Sequence, residues 1–231
     1  MKYRVKFSKN GAIKYIGHLD VMRYFQKAIR RAHIPIAYSE GFSPHQILSF
    51  AFPLSVGFTS EGEYFDMELT KEVDENVILT SLNEQMNEGI RIEAVKCLPD
   101  KSPNCMSSVF AASYEVSVKD KVKLPNDFID RANDFFGQQT IPVNKPKKKG
   151  GGFIDIDLKQ FIYDYSVKDI GKVFFVVNAG SDSNIKPTFV MECVLNYMNI
   201  DIPENAFDVK RIDIFENKGD EIDIKLSSLI D

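Results

Sequence analysis

The chain has 231 residues, 44% of them hydrophobic, and a net charge of −4, which is enough for one large domain or two of about 110 residues. Three cysteines (Cys97, Cys105, Cys193) with no CxxC pair argue against a disulfide framework or a zinc site and fit a reducing cytoplasm. The opening MKYRVKFSKNG has no apolar leader core, and no run reaches the length of a membrane span, so the expectation is a cytoplasmic protein with no membrane partner.

Residues 2–8 alternate, with Tyr3, Val5 and Phe7 on one side, and predict a first strand. Residues 18–33 predict a helix. Gly17 stands at its N-cap and Asp20 in its first turn, where a carboxylate favours the positive helix end. Val21, Met22, Phe25, Ala28, Ile29 and Ala32 form its apolar stripe. Arg23, Lys27, Arg30 and Arg31 fall within roughly a 100° arc on the other side. Only Asp20 is spaced to pair with them, so the basic face is largely unpaired within its own helix. Pro35 ends the helix near His33. The face reads either as a solvated surface or as a binding face.

The loop 38–45 is dense in turn formers, with Gly41 and Pro44, and carries Tyr38, Phe42, Ser43 and His45. Aromatics beside cations suit nucleic acid, since bases stack on rings while phosphates meet Arg and Lys. The alternative is that Tyr38 and Phe42 fold inward. Residues 47–54 read as a buried strand. Residues 63–69 read as a half-exposed strand with Tyr64, Asp66 and Glu68 on one face. A helix over 74–87 and a strand over 90–98 complete a β-α-β-β-α-β order, the split βαβ or ferredoxin-like arrangement.

Residues 99–108 are polar, contain two prolines and read as a linker between domains 1–98 and 109–231. The pattern then repeats: strands at 109–119, 140–143, 153–158, 173–178 and 209–215, helices at 126–136 and 187–198, an insertion around 159–170 and an acidic tail. The expected fold is α+β, with two tandem ferredoxin-like halves built on antiparallel sheets.

Charge is distributed unevenly. Residues 1–60 hold nine Lys/Arg against two acids, and residues 61–100 hold three against eleven, which fits a basic patch on an acidic body. Two further features are basic. Lys145, Lys147, Lys148 and Lys149 lead into a glycine run, forming either a finger for phosphate or a solvated hairpin tip. Lys186 stands at a helix start, where N–H groups attract anions. No P-loop, GxSxG, HExxH, Rossmann glycine or CxxxCxxC pattern is present, and no cofactor or metal is expected. His18 and His45 are the candidate acid–base residues for a metal-independent endoribonuclease.

The run Tyr15-Ile-Gly-His-Leu-Asp-Val-Met-Arg23, then Ala28-Ile-Arg-Arg-Ala-His-Ile-Pro35, Tyr38-Ser-Glu-Gly-Phe-Ser-Pro-His45, Pro53-Leu-Ser-Val-Gly57 and Glu63-Tyr-Phe-Asp66 resembles the bacterial radical-SAM-linked family of unknown function. The second half is similar more loosely, at residues 153–158, Gly180, Lys186-Pro187 and Arg211. Gly17 departs from a family serine. The resemblance implies a partner protein that supplies an iron–sulfur cluster and S-adenosylmethionine, because this chain has no cysteine triad for them. More distantly, the expected fold is similar to RNA-processing proteins of CRISPR systems.

The functional expectation is an RNA-binding accessory module that presents tRNA or rRNA to a radical-SAM enzyme, through Arg23, Lys27, Arg30, Arg31, Tyr38, Phe42, Ser43, His45, Lys147, Lys148, Lys149 and Lys186. The alternatives are the histidine nuclease and a protein-interaction adaptor for the radical-SAM partner.

Overall fold

The computed structural model describes residues 1–147, 150–180, 183–220 and 223–231. In chain order these form β1 (Lys2–Lys9), α1 (His18–Arg31), β2 (Leu48–Phe50), β3 (Thr59–Glu68), α2 (Glu75–Asn83), β4 (Ile90–Leu98) and α3 (Cys105–Ser108). There follow β5 (Ala111–Val118), α4 (Phe128–Gly137), β6 (Pro142–Pro146), β7 (Phe153–Asp157), β8 (Ile162–Asp169), β9 (Lys172–Asn178), α5 (Pro187–Tyr197), β10 (Phe207–Asn217) and β11 (Leu226–Ser228). The fold is mixed α+β with mostly antiparallel strands. No helix among the described residues is long and apolar enough to cross a membrane. Two compact units emerge, Met1–Ala111 with Arg211–Asp231, and Ala112–Lys210. The chain thus re-enters the first unit within β10, whereas the sequence reading assigned everything from residue 109 onward to the second half.

In the first unit β1 lies between β4 and β3, antiparallel to both, with Val5 opposite Val95 and Phe65. β2 adds to β3 with Phe50 opposite Phe65, and β11 adds to β10 with Ser228 opposite Phe215. A Cβ on Gly62 would meet the Ile212 carbonyl at 2.7 Å, so β3 and β10 approach as closely as they do only with glycine there. Tyr3, Val5 and Phe7 from β1, Phe25 and Ile29 from α1, and Ile78 and Leu82 from α2 fill the core. The ring of Phe25 lies 4.7 Å from Phe7 and 4.8 Å from Phe65, and Phe50 stacks on Phe65 at 5.1 Å.

Three expectations for this unit change. The apolar run 47–54 is a strand only at Leu48–Phe50; Pro53 cannot donate to a ladder, and the chain turns away there. The helix expected at 74–87 spans Glu75–Asn83, and Val77 is exposed rather than core. It stops where the Asn83 side chain turns to bond both the N–H and the carbonyl of Ile92 on β4. The strand read as half-exposed is instead buried from Glu63 to Met67 on both faces, because Glu63 and Asp66 each have an arginine partner inside.

In the second unit β8 pairs β9 antiparallel, with Tyr165 opposite Phe175, and β5 lies on the other side of β9. α4 buries Phe128, Ala132, Phe135 and Phe136, and α5 buries Val190, Met191, Val194 and Leu195. The segment read as an insertion, 159–170, contributes sheet strand β8. The segments read as sheet strands, 140–143 and 153–158, form a separate two-stranded hairpin, β6–β7, with Asn144 opposite Asp155. β6 begins and ends in proline, which suits a strand that cannot take neighbours on both edges. Gly150, Gly151 and Gly152 all sit at positive φ in the turn of this hairpin.

Candidate nucleic-acid interface

Helix α1 carries the densest basic face. Gly17 is its N-cap, with no side-chain capping bond, and Asp20 lies in its first turn. The helix closes at its C-terminus through His33, at φ 53°, whose N–H meets the Arg30 carbonyl at 3.1 Å while the Ile34 N–H reaches the Ile29 carbonyl at 3.3 Å. That is Schellman-type closure with a non-glycine residue in the left-handed position. Val21, Phe25, Ala28 and Ile29 face inward, and Arg23, Lys27, Arg30 and Arg31 are all exposed. Their surroundings differ. Arg23 pairs with Asp20 at 3.3 Å in the open, a contact worth little. Arg31 donates to the Gln85 carbonyl at 3.1 Å and to its side chain at 3.3 Å. Lys27 and Arg30 have no hydrogen bond or ion pair among the described residues.

The loop 38–45 is a small closed structure. Tyr38 and Gln46 form an antiparallel bridge, and the Ser39 N–H meets the His45 carbonyl at 2.8 Å. The Ser39 hydroxyl also lies 2.8 Å from His45 Nδ1 and accepts the His45 N–H at 3.1 Å. Gly41 turns the tip at φ 106°, where a side chain would be strained. Phe42 is fully exposed at that tip, Tyr38 is half exposed, and Ser43 and His45 are exposed. The alternative in which both rings fold inward is therefore not what forms. At the base of the loop, buried Gln46 donates its Nε2 to the Gln26 carbonyl of α1 at 3.1 Å. Gln26 is adjacent to Lys27 and within one turn of Arg23 and Arg30. The loop is thus fastened to the helix beside its basic face, on the flank between that face and the core.

His18 has different surroundings from His45, and the two share no hydrogen bond or ring contact. His18 stands edge-on to Phe50, with centroids 5.5 Å apart. It lines a cavity of about 20 Å³ together with Lys9, Phe50 and Glu63, room for about one water molecule. Burial, aided by the charge of Lys9, lowers its pKa from the ordinary value. Lys9 is itself buried, donating to the Ile16 carbonyl at 2.9 Å, and burial lowers its pKa too. Glu63 receives Arg211 Nη1 on both oxygens at 2.9 Å. Burial raises the Glu63 pKa, and Arg211 opposes that rise. Arg211 also donates to the carbonyls of Phe52 (3.1 Å) and Pro53 (3.2 Å). A second buried pair joins Arg4 to Asp66, at 2.7 and 3.0 Å, and Arg4 continues to the carbonyls of Leu229 and Pro103. Sequence reasoning missed all of these roles except for noting Arg211 in the resemblance. Their chemistry is structural: each arginine ties an irregular segment to β3. Among the described residues no group of three or more His, Cys, Asp or Glu side chains is placed to hold a metal.

The two basic features of the second unit converge. Lys145, Lys147 and Lys186 line one cleft of about 450 Å³, with Lys145 Nζ donating to the Asn184 carbonyl at 2.7 Å. Lys186 precedes α5, and Lys147 follows β6. Lys148 and Lys149 lie outside the described residues.

A family model described as "Uncharacterized protein conserved in bacteria (DUF2344)" matches residues 2–187. Among solved structures, the chain is similar to one described as the crystal structure of an unknown protein from Galdieria sulphuraria. That similarity has 10% identity and a TM-score of 0.26, and it covers 91% of this chain and 97% of that one. No curated protein matches.

Proposed function

The chain belongs to the bacterial family DUF2344 of uncharacterized proteins, and from that premise we propose that it is an RNA-binding accessory module whose first unit receives structured RNA on α1 and the loop 38–45. The observation that carries this reading is the Gln46–Gln26 hydrogen bond. It fastens a loop with exposed Tyr38 and Phe42 to a helix whose Lys27 and Arg30 have no partner among the described residues. Cations then meet phosphates while rings offer π-faces to unpaired bases, the combination used on single-stranded and looped RNA.

The fold fits this role. We read each unit as a ferredoxin-like half. The element order β1-α1-β2-β3-α2-β4 is repeated in β5-α4-β8-β9-α5-β10, with the β6–β7 hairpin inserted after α4. The partner half of the reading, a radical-SAM enzyme that modifies the presented RNA, rests on the sequence resemblance. The nuclease reading gains no geometry at His18, whose cavity has room for about one water.

The test is binding of bulk tRNA and rRNA fragments across a salt series, followed by a gel of the same samples. K27A/R30A should weaken binding and flatten its salt dependence by roughly one to two units of log–log slope. Arg31 is the wrong choice for this variant, because its contact with Gln85 gives it a structural task. Unchanged affinity in K27A/R30A sinks the proposal, and discrete new RNA fragments revive the nuclease.

A further inference from the structure

The β6–β7 hairpin and α5 enclose more than the lysine cleft. A second hollow of about 610 Å³ adjoins it, sharing Pro146, Phe189 and Glu192 with it. The two hollows differ in chemistry. Among the described residues, the first has Lys145, Lys147 and Lys186 against one acid, Glu192. The second is walled by rings, Phe135, Phe153, Phe189 and Tyr197, interspersed with the amides of Gln138, Asn144 and Asn196. Both are of the size that small ligands occupy. Phe153 is 65% exposed and Tyr197 45% exposed, so two rings stand at this wall with much of their surface unpacked. Lys145 is held in place by its bond to the Asn184 carbonyl, which fixes one cation at the edge of the cleft.

We propose that this paired cleft in the second unit binds a nucleotide, with the base in the aromatic hollow, the ribose beside Glu192 and Thr188, and the phosphate at Lys147 and Lys186. The match is one of charge and surface type. An anionic group is drawn to the lysine side, where three cations outnumber one carboxylate among the described residues. A flat heteroaromatic body is drawn to the ring side, where the amides offer donors and acceptors to base edges and the rings offer stacking surface. Glu192, at the junction, accepts hydrogen bonds from ribose hydroxyls. Neither inorganic phosphate nor an apolar molecule uses both halves. The shared chemistry comes from two sources, a free nucleoside monophosphate or an unpaired nucleotide of an RNA strand. This site has no residue in common with the α1 face, so it stands or falls separately from the interface proposed there.

The chain contains no tryptophan, so F153W places a single fluorescent reporter at the ring wall on an exposed position. The full chain carrying F153W is titrated with the four nucleoside 5′-monophosphates, adenosine, inorganic phosphate and a short oligoribonucleotide. The expected result is saturable quenching by at least one monophosphate, with adenosine at least tenfold weaker. Adding Lys147→Gln and Lys186→Gln should raise the Kd by about tenfold or more. Both lysines are exposed, so the variant should keep its melting temperature, and K27A/R30A should bind nucleotide unchanged. Saturation by the oligoribonucleotide but by no monophosphate assigns the site to a strand and supports the proposal. Adenosine binding as tightly as its monophosphate, an affinity indifferent to the two lysines, or no saturable quenching by any nucleotide overturns it.

Discussion

Strand β3 keeps Glu63 and Asp66 inside the first unit, each against an arginine, whereas helix α1 of the same unit directs four cations outward. Arginine serves in both settings, and the energetics are opposite. Arg4 and Arg211 are almost fully buried, and their remaining N–H groups are used on carbonyls of segments near residues 52, 103 and 229. Desolvating such groups costs several kcal/mol per ion, recovered only because a carboxylate and backbone carbonyls meet each guanidinium inside. Lys27 and Arg30 incur no such cost and make no such contact. A charge in the first setting holds the chain together; a charge in the second is free to meet a ligand.

The sharpest way to break that contrast is to remove one member of a buried pair. E63A leaves the Arg211 guanidinium desolvated without its carboxylate, and R211A strands Glu63 together with the Phe52 and Pro53 carbonyls. Each should lower unfolding free energy by about 3–5 kcal/mol, with R211A the worse. K27A and R30A should each stay within about 0.5 kcal/mol of wild type. Urea denaturation midpoints decide it. A loss below about 1 kcal/mol for R211A would make the buried pair no different in kind from a surface contact.

The next prediction separates rings from charges on the outward face. Y38A and F42A should each weaken RNA binding by about 1–3 kcal/mol, the usual value of stacking one base on an aromatic side chain. Stacking releases no counterions, so the salt dependence of these variants should parallel that of wild type, while K27A/R30A flattens it. Phe42 is fully exposed, so F42A should leave stability unchanged. If F42A flattens the salt slope instead, the ring orders the loop rather than touching RNA, and the division between rings and charges fails.

Local sequence signals carried far in this chain and then failed at long range. The helix of α1, its Gly17 cap, its inward stripe and its basic arc are all legible because each depends on neighbours within four residues. The exposure of β3 was misread for the complementary reason. Acids at 63 and 66 look like solvent positions, and their partners lie 148 and 62 residues away. Nothing in the local alternation reports an arginine arriving from β10. The misplacement of β8 has a similar cause. Residues 140–143 have local strand character, and only pairing with β9 shows that 162–169 takes the sheet position. The lysine cleft was half legible: Lys147 and Lys186 were each singled out, but their meeting depends on how the β6–β7 hairpin lies against α5.

The smallest expected effect tests whether His18 belongs to the buried set or the exposed one. Its pKa is lowered from 6.5, first by burial and then by Lys9 of β1, with Glu63 of β3 across the same cavity. In the unfolded chain that histidine titrates near its ordinary value. As pH falls through about 6.5, the unfolded state therefore takes up a proton that the folded state refuses, and stability drops. The drop ends once pH passes the lowered folded value, where both states are protonated. Above the ordinary value both states are neutral and His18 contributes no slope. Thermal melts of wild type and H18Q between about pH 5 and 7.5 isolate this from the carboxylates, which both proteins share. Wild type should lose more stability toward acid than H18Q does. Parallel curves would mean that His18 is effectively solvated, and the line between held and free charges would then run through the first turn of α1 rather than beneath it.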